Sequence, residues 1–186
     1  LALDGAAAAR LASFARERDR VLEVEYTYTY SPALRHAQTL VQRGEIGSLK
    51  CITVCFAQLG RFLAHDVYLL LASHALSIVD LFVPLASATF ASIPTMETNG
   101  VVTAALIQFQ SKETGCRGHI EISLHRPQRD KKVILYGAKG TLEYTPDAAN
   151  ALTLTKYKRE RSLQAKDLIE GRETFQFDEI HNLREA

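Results

Sequence analysis

The sequence predicts an α+β fold, an open and mostly antiparallel β-sheet with helices packed on one face. Apolar residues repeat at helical spacing in three early segments, and after Pro84 the period changes to two through seven further segments. Between strands, Asn99-Gly100 is a strong hairpin signal, and Gly137-Ala138-Lys139-Gly140 reads as a second tight turn.

Length and composition bound what this fold can be. A chain of 186 residues buries about 70% of its unfolded surface, enough for one core. With 47% hydrophobic and 23% charged residues, the disordered, collagen-like and disulfide-scaffold classes are excluded. Lys and Arg total 22 against 21 Asp and Glu, so no bulk field steers nucleic acid or a membrane surface to the chain. No apolar run reaches the roughly 18 residues of a membrane span. Nucleic acid and membrane are therefore not expected as partners.

The elements follow in order. Asp4 stands at the N-cap of an Ala-rich helix over residues 6–18, with Leu11, Phe14 and Ala15 at helical spacing. Val21 to Tyr30 alternates strictly, which predicts a strand with Leu22, Val24, Tyr26, Tyr28 and Tyr30 on one face. Ser31-Pro32 then caps and opens a helix carrying Leu34, Ala37, Leu40 and Val41, ending at Gly44 or Gly47. Leu49 to Leu59 is a strand, and Asp66 to Phe82 a very apolar helix stopped before Pro84. The period-two segments are Ala88 to Ile93, Val101 to Gln110, Arg117 to His125, Lys132 to Tyr136, Thr141 to Tyr144, Leu152 to Tyr157 and Thr174 to Phe177. Residues 178–186 read as a helix begun and not finished. With no initiator Met and no signal peptide, the chain is expected to be a piece of a longer protein.

Three cysteines make an odd count. Cys51 and Cys55 are four residues apart on a strand, about 13 Å, too far for a bridge. They are expected to be small hydrophobes in a reducing compartment, with no metal site.

Four stretches, in this order and spacing, carry a resemblance: "VLEVEYTYTYSP", "HAQTLVQRGEIGSLK", "ASHALSIVDLF" and "VILYGAKGTLEY". Together they resemble the glucose–fructose oxidoreductase/inositol dehydrogenase/MocA (Gfo/Idh/MocA) family of NAD(P)-dependent oxidoreductases. The resemblance implies that residues 1–30 are the last helix and strand of a Rossmann domain. Residues 31–186 would be the C-terminal α+β domain for substrate binding and oligomerisation, truncated at its end. It further implies a cytoplasmic enzyme acting on a hydroxyl-bearing small molecule such as a sugar or cyclitol, with homo-oligomer contacts through the open sheet face. NAD or NADP would serve the full-length protein. The family's G-x-G-x-x-G turn and Glu-Lys-Pro motif are absent here and would lie upstream of Leu1. These 186 residues alone are therefore expected to bind no dinucleotide.

The family's catalytic helix carries Asp-x-Gly-x-His-x-x-Asp. His74 matches the His, and the resemblance makes it the catalytic residue; a His in so apolar a helix otherwise reads as a core residue with a satisfied hydrogen bond. Leu70 replaces the first acid, Ala72 the Gly and Ser77 the second acid. A His near neutral pKa can take a hydroxyl proton while hydride leaves the carbon; a carboxylate one turn earlier would orient it, and Leu70 cannot. Ser77 and His65 are the candidate substrate-binding residues, His65 lying with Asp66 at the mouth of the same cleft. Asp66 is equally the cap of the helix. His119, Glu121, Ser123 and His125 alternate onto one strand face, either as a metal pair from His119 and Glu121 or as a polar face at solvent or a wet interface. The Tyr26, Tyr28 and Tyr30 row would stack on a sugar ring or pack between domains. A parent that has lost dehydrogenase chemistry would instead use this domain for binding or dimerisation.

Overall fold

The fold is described from a computed structural model, for residues 2, 4–60, 65–146, 150–158 and 169–178. Helix α1 (Gly5–Glu17) starts where expected, the Asp4 carboxylate accepting from the Ala7 N–H at 2.7 Å. It buries no residue, and its apolar positions Leu11 and Phe14 stay exposed. A 3₁₀ turn (Thr27–Tyr30) leads into α2 (Pro32–Gln42), capped by the Ser31 hydroxyl. Past α2, Gly44 takes φ +74°, the left-handed conformation that closes a helix C-terminus at least cost.

One eight-stranded sheet follows, from β1 (Leu49–Leu59), β2 (Ala88–Thr98), β3 (Val101–Ser111), β4 (Arg117–Ser123), β5 (His125–Gly137), β6 (Gly140–Thr145), β7 (Ala151–Tyr157) and β8 (Ile169–Gln176). Its order is β2-β3-β4-β1-β5-β6-β7-β8, with β1 and β4 parallel and every other pair antiparallel. Inserting β1 between β4 and β5 is the one non-sequential step. It places Val54 beside Ile120 and Val133, and Ile52 beside Leu135, all on one face. That face, with Ile107, Phe109, Leu142 and Leu154, packs against Leu34 and Ala37 of α2 and Ala75, Ile78 and Val79 of α3 (Ser73–Asp80). The α+β expectation holds.

Three expectations need correction. Val21 to Tyr30 is not a strand: residues 21–26 pair with none of the eight strands, and Thr27–Tyr30 is helical. Alternation licenses a strand only where a neighbour completes its ladder. The apolar helix is not one α-helix: Tyr68–Ala72 is a π turn, and α3 begins at Ser73. The wider turn keeps Val67 and Ala72, five residues apart, both buried. Finally, Arg117 to His125 breaks at Leu124, whose N–H donates to the Thr103 carbonyl while its own carbonyl accepts from Gly60. His125 opens β5, which therefore begins seven residues earlier than Lys132. The helix read into residues 178–186 lies outside the described residues, save Asp178.

The two glycine-containing motifs behind the resemblance pack on each other. The Lys139 N–H donates to Ile46 O at 2.8 Å and the Ala138 N–H to Ser48 O at 3.0 Å. A Cβ on Gly137 would lie 2.1 Å from Ile46 O, and one on Gly140 would lie 2.5 Å from Thr155 O. Glycine is required at both positions because backbone approaches backbone there.

Candidate functional site

His74 stands in the first turn of α3, half-buried against the chain that precedes α2. Its ring meets Tyr28 edge-on at 5.9 Å between centroids and Tyr26 at 6.2 Å. Tyr28 in turn packs on Phe56 of β1 at 5.1 Å. Nδ1 of His74 is buried and has no hydrogen-bond partner among the described residues. An orphaned buried nitrogen is uncommon enough in a folded protein to need a reason.

Opposite the rings lies Lys131 of β5, a buried lysine. Its Nζ donates to the Tyr28 hydroxyl at 2.6 Å and sits 5.4 Å from the centroids of both Tyr28 and Phe56. Desolvation and, second to it, the Lys131 charge lower the His74 pKa below its ordinary value, so the imidazole is neutral at pH 7. A neutral imidazole can accept a proton from a hydroxyl and later return it.

The other predicted site residues are distributed as follows. Ser77, one turn after His74, donates its hydroxyl to the His74 carbonyl at 2.8 Å. His65 is exposed at the approach to the helix, and the Asp66 carboxylate accepts from the Tyr68 N–H at 2.8 Å as a cap. Leu70 lies in the π turn and packs against the core. Tyr30 is exposed and hydrogen-bonds Glu23, which raises its pKa, so the predicted tyrosine row is not a common face.

His119, Glu121 and Ser123 do share the open sheet face, but His125 turns aside to bond Thr103 Oγ1 at 2.7 Å. Glu121 is engaged by Arg126 at 2.6 Å, and Arg126 also pairs with Asp130. Cys55 lies among these groups, its thiol pushed up to about 11 by burial and then by the Glu121 and Asp130 carboxylates. Burial likewise takes Cys116 up to about 11. Thiols held so far from ionisation are poor nucleophiles. Among the described residues no group of three or more His, Cys, Asp and Glu could hold a metal ion.

Sequence reasoning missed Lys131 and the part it gives Tyr28. The signal was there: carrying the alternation of Val133 and Leu135 back one step puts Lys131 on the buried face. Clefts of about 780 and 630 Å³ lie away from His74, the first lined by Arg43, Glu45, Lys139 and Lys156, the second by Cys51, Phe90, Arg117 and His119. His74 sits on a partly open surface among aromatic rings instead.

No described helix is long and apolar enough to cross a membrane.

No family model and no curated protein matches the sequence. Solved structures do match the fold. An oxidoreductase from Pseudomonas syringae superposes with a TM-score of 0.73 at 15% identity, over 92% of this chain and 46% of that one. An inositol dehydrogenase homolog from Azotobacter vinelandii, complexed with NAD+, gives 0.72 at 15%, over 92% and 47%. A UDP-N-acetylglucosamine 3-dehydrogenase from Acidithiobacillus ferrooxidans gives 0.72 at 16%, over 95% and 54%. The chain spans about half the length of the solved structures it matches. Its sheet order and one-sided helices thus give this chain the fold of the C-terminal domain of Gfo/Idh/MocA-type oxidoreductases.

Proposed function

We propose that this chain is the substrate-binding and oligomerisation domain of an NAD(P)-dependent oxidoreductase acting on a hydroxyl-bearing small molecule such as a sugar or cyclitol. The carrying observation is His74. Its ring lies half-buried against Tyr26 and Tyr28, its Nδ1 is buried without a partner among the described residues, and burial and then the Lys131 charge hold its pKa low, in a fold shared with an inositol dehydrogenase homolog and a nucleotide-sugar dehydrogenase. The bound nicotinamide would supply hydride acceptance or donation, and another part of the full-length protein would hold it. This domain supplies the wall that carries the substrate. His74, neutral at pH 7, accepts the hydroxyl proton at Nε2 as the alcohol is oxidised and returns it in reduction. Tyr26 and Tyr28 offer ring surface to the apolar face of a sugar, with Ser77 on the same helix one turn after His74 and His65 at the approach to it.

The test is His74→Asn in the full-length protein, assayed with NAD and NADP against a panel of sugars and cyclitols. Turnover should fall by roughly 10²–10⁴ while folding and nucleotide affinity hold. Activity that declines only with the folded fraction would make His74 a packing residue.

A second reading is favoured by Leu70, Ala72 and Ser77, which stand where the family carries Asp, Gly and Asp. In it the parent has lost dehydrogenase chemistry and the domain persists as a binding or dimerisation module. A Glu-Lys-Pro motif in the residues preceding Leu1 would favour the enzyme, and its absence the module.

A further inference from the structure

We infer that the cleft between the C-terminus of α2, the β5–β6 turn and the outer ends of β7 and β8 binds a soluble small molecule that carries a diphosphate group. Arg43, Lys139 and Lys158 are its anion-binding residues, and the oxidoreductase reading uses none of them.

The first observation is charge. Four cations, Arg43, Lys139, Lys156 and Lys158, line this cleft of about 780 Å³ against two acids, Glu45 and Glu170. That local excess is larger than the +1 of the whole chain, so positive field is focused here and not spread over the surface. One acid is already committed: Lys156 Nζ donates to the Glu45 carboxylate at 2.5 Å. Among the described residues, Arg43, Lys139 and Lys158 pair with no carboxylate. Arg43, at the C-cap of α2, also answers the negative end of the helix dipole. Lys139 and Lys158 stand on no helix and have no such duty.

The second observation is a fixed frame. The Lys139 N–H donates to Ile46 O at 2.8 Å, and the Lys139 carbonyl accepts from the Tyr157 N–H at 2.8 Å. The backbone of one residue thus ties all three segments together. The Lys139 stem lies over Gly47, where an added Cβ would stand 3.0 Å from Lys139 Cγ. Cations from segments far apart in sequence are held near one another before a ligand arrives, which lowers the ordering cost of binding.

The chemistry of these groups selects the ligand. A guanidinium grips a phosphate with two parallel N–H bonds, and ammonium groups neutralise it as point charges. Two linked phosphates match one Arg and two Lys better than a single one does. The cleft is concave and walled by charged groups, which suits a soluble ligand; a lipid surface calls for inserted apolar side chains. This is not the substrate site, because Lys131, beside Tyr28, and Gly137 are separated by about 20 Å of extended β5.

The test is calorimetric titration of the full-length protein with pyrophosphate at low salt, comparing the parent with Arg43→Glu, Lys139→Glu and Lys112→Glu. All three positions are exposed, and Lys112 lies in the β3–β4 turn outside the cleft. Any other anion site is common to all four proteins, so the differences between them carry the result. Arg43→Glu and Lys139→Glu should each weaken one saturable component by about tenfold or more, as repulsion replaces attraction, and added salt should weaken it too. Lys139→Gln, a milder change, should give a smaller loss in the same direction. Lys112→Glu, an equal change of net charge, should leave that component intact. Identical isotherms in the parent and both cleft variants would overturn the site, and an equal loss in Lys112→Glu would reduce it to a general field. Capture on phosphatidylglycerol vesicles without pyrophosphate binding, abolished by the same two reversals, would overturn the soluble ligand in favour of a lipid headgroup. His74→Asn should not alter pyrophosphate binding, so this site stands or falls separately from the dehydrogenase reading.

Discussion

At the scale of single residues, the environment of His74 sets a pH dependence that needs no substrate to observe. Burial, then the Lys131 charge, depress its folded-state pKa, while the unfolded chain keeps the ordinary value of about 6.5. Below that value the unfolded state binds the proton more readily, so stability rises with pH in this window. His74's contribution is complete above the unfolded pKa and is lost as pH falls through the folded one. Denaturant midpoints measured across mildly acidic pH should therefore fall on acidification. The fall should be shallower in His74→Gln, and an equally steep slope there would mean that other groups govern it. His74 and Leu70 were legible in the sequence because they fall on a helix at known spacing. Lys131 was not, because a charged residue beside a second one, Lys132, looks like a solvated strand end. Only the register of β5 against β1, with Lys131 opposite Phe56, shows that its stem runs through the core.

At the scale of elements, local patterns succeeded wherever the element closes its own hydrogen bonds or has an explicit stop signal. Helix α2, strand β1 and the Asn99-Gly100 hairpin stand where capping and turn chemistry put them, with Asn99 at φ 52° and Gly100 at φ 77°. Residues 21–26 failed as a strand for want of a neighbour, and the π turn was invisible because helical periodicity does not separate i−4 from i−5 bonding over five residues. A close backbone contact joins residues 44–48 to 137–140. There Gly137→Ala should cost about 1–3 kcal/mol, as overpacking does, since the added methyl must displace the Ile46 carbonyl or the whole turn. Gly5→Ala, where a Cβ meets nothing within 4 Å, is the control and should not destabilise. A Gly137→Ala midpoint equal to that of the parent would show that this turn has slack.

At the scale of the whole molecule, the sheet has one face under helices and one open. On β3, Ala105, Ile107 and Phe109 turn toward the core and leave the open face. In their place stand Thr53, Glu121, Lys132 paired with Glu143 at 3.0 Å, Ile134 and Tyr136. We propose that a second copy covers this mixed face, as a wet interface of polar and apolar groups. Light scattering of the full-length protein at tens of micromolar should give a dimer or a dimer of dimers. Ile134→Lys, which sets a charge beside Thr53 at the centre of the face, should dissociate it. A monomer in the parent would remove oligomerisation from the proposed role.

The sequence by itself determined the α+β class, the run of strands after Pro84, the glycine turns and the start of α2. All of these rest on interactions between residues near one another in the chain, which periodicity and capping record directly. The tertiary structure alone decided that β1 enters between β4 and β5, that Lys131 reaches Tyr28 across 103 positions of sequence, and that His74 Nδ1 is buried without a partner among the described residues. Those depend on which strands become neighbours and in what register, and a one-residue change of register would turn every one of these side chains to the other face.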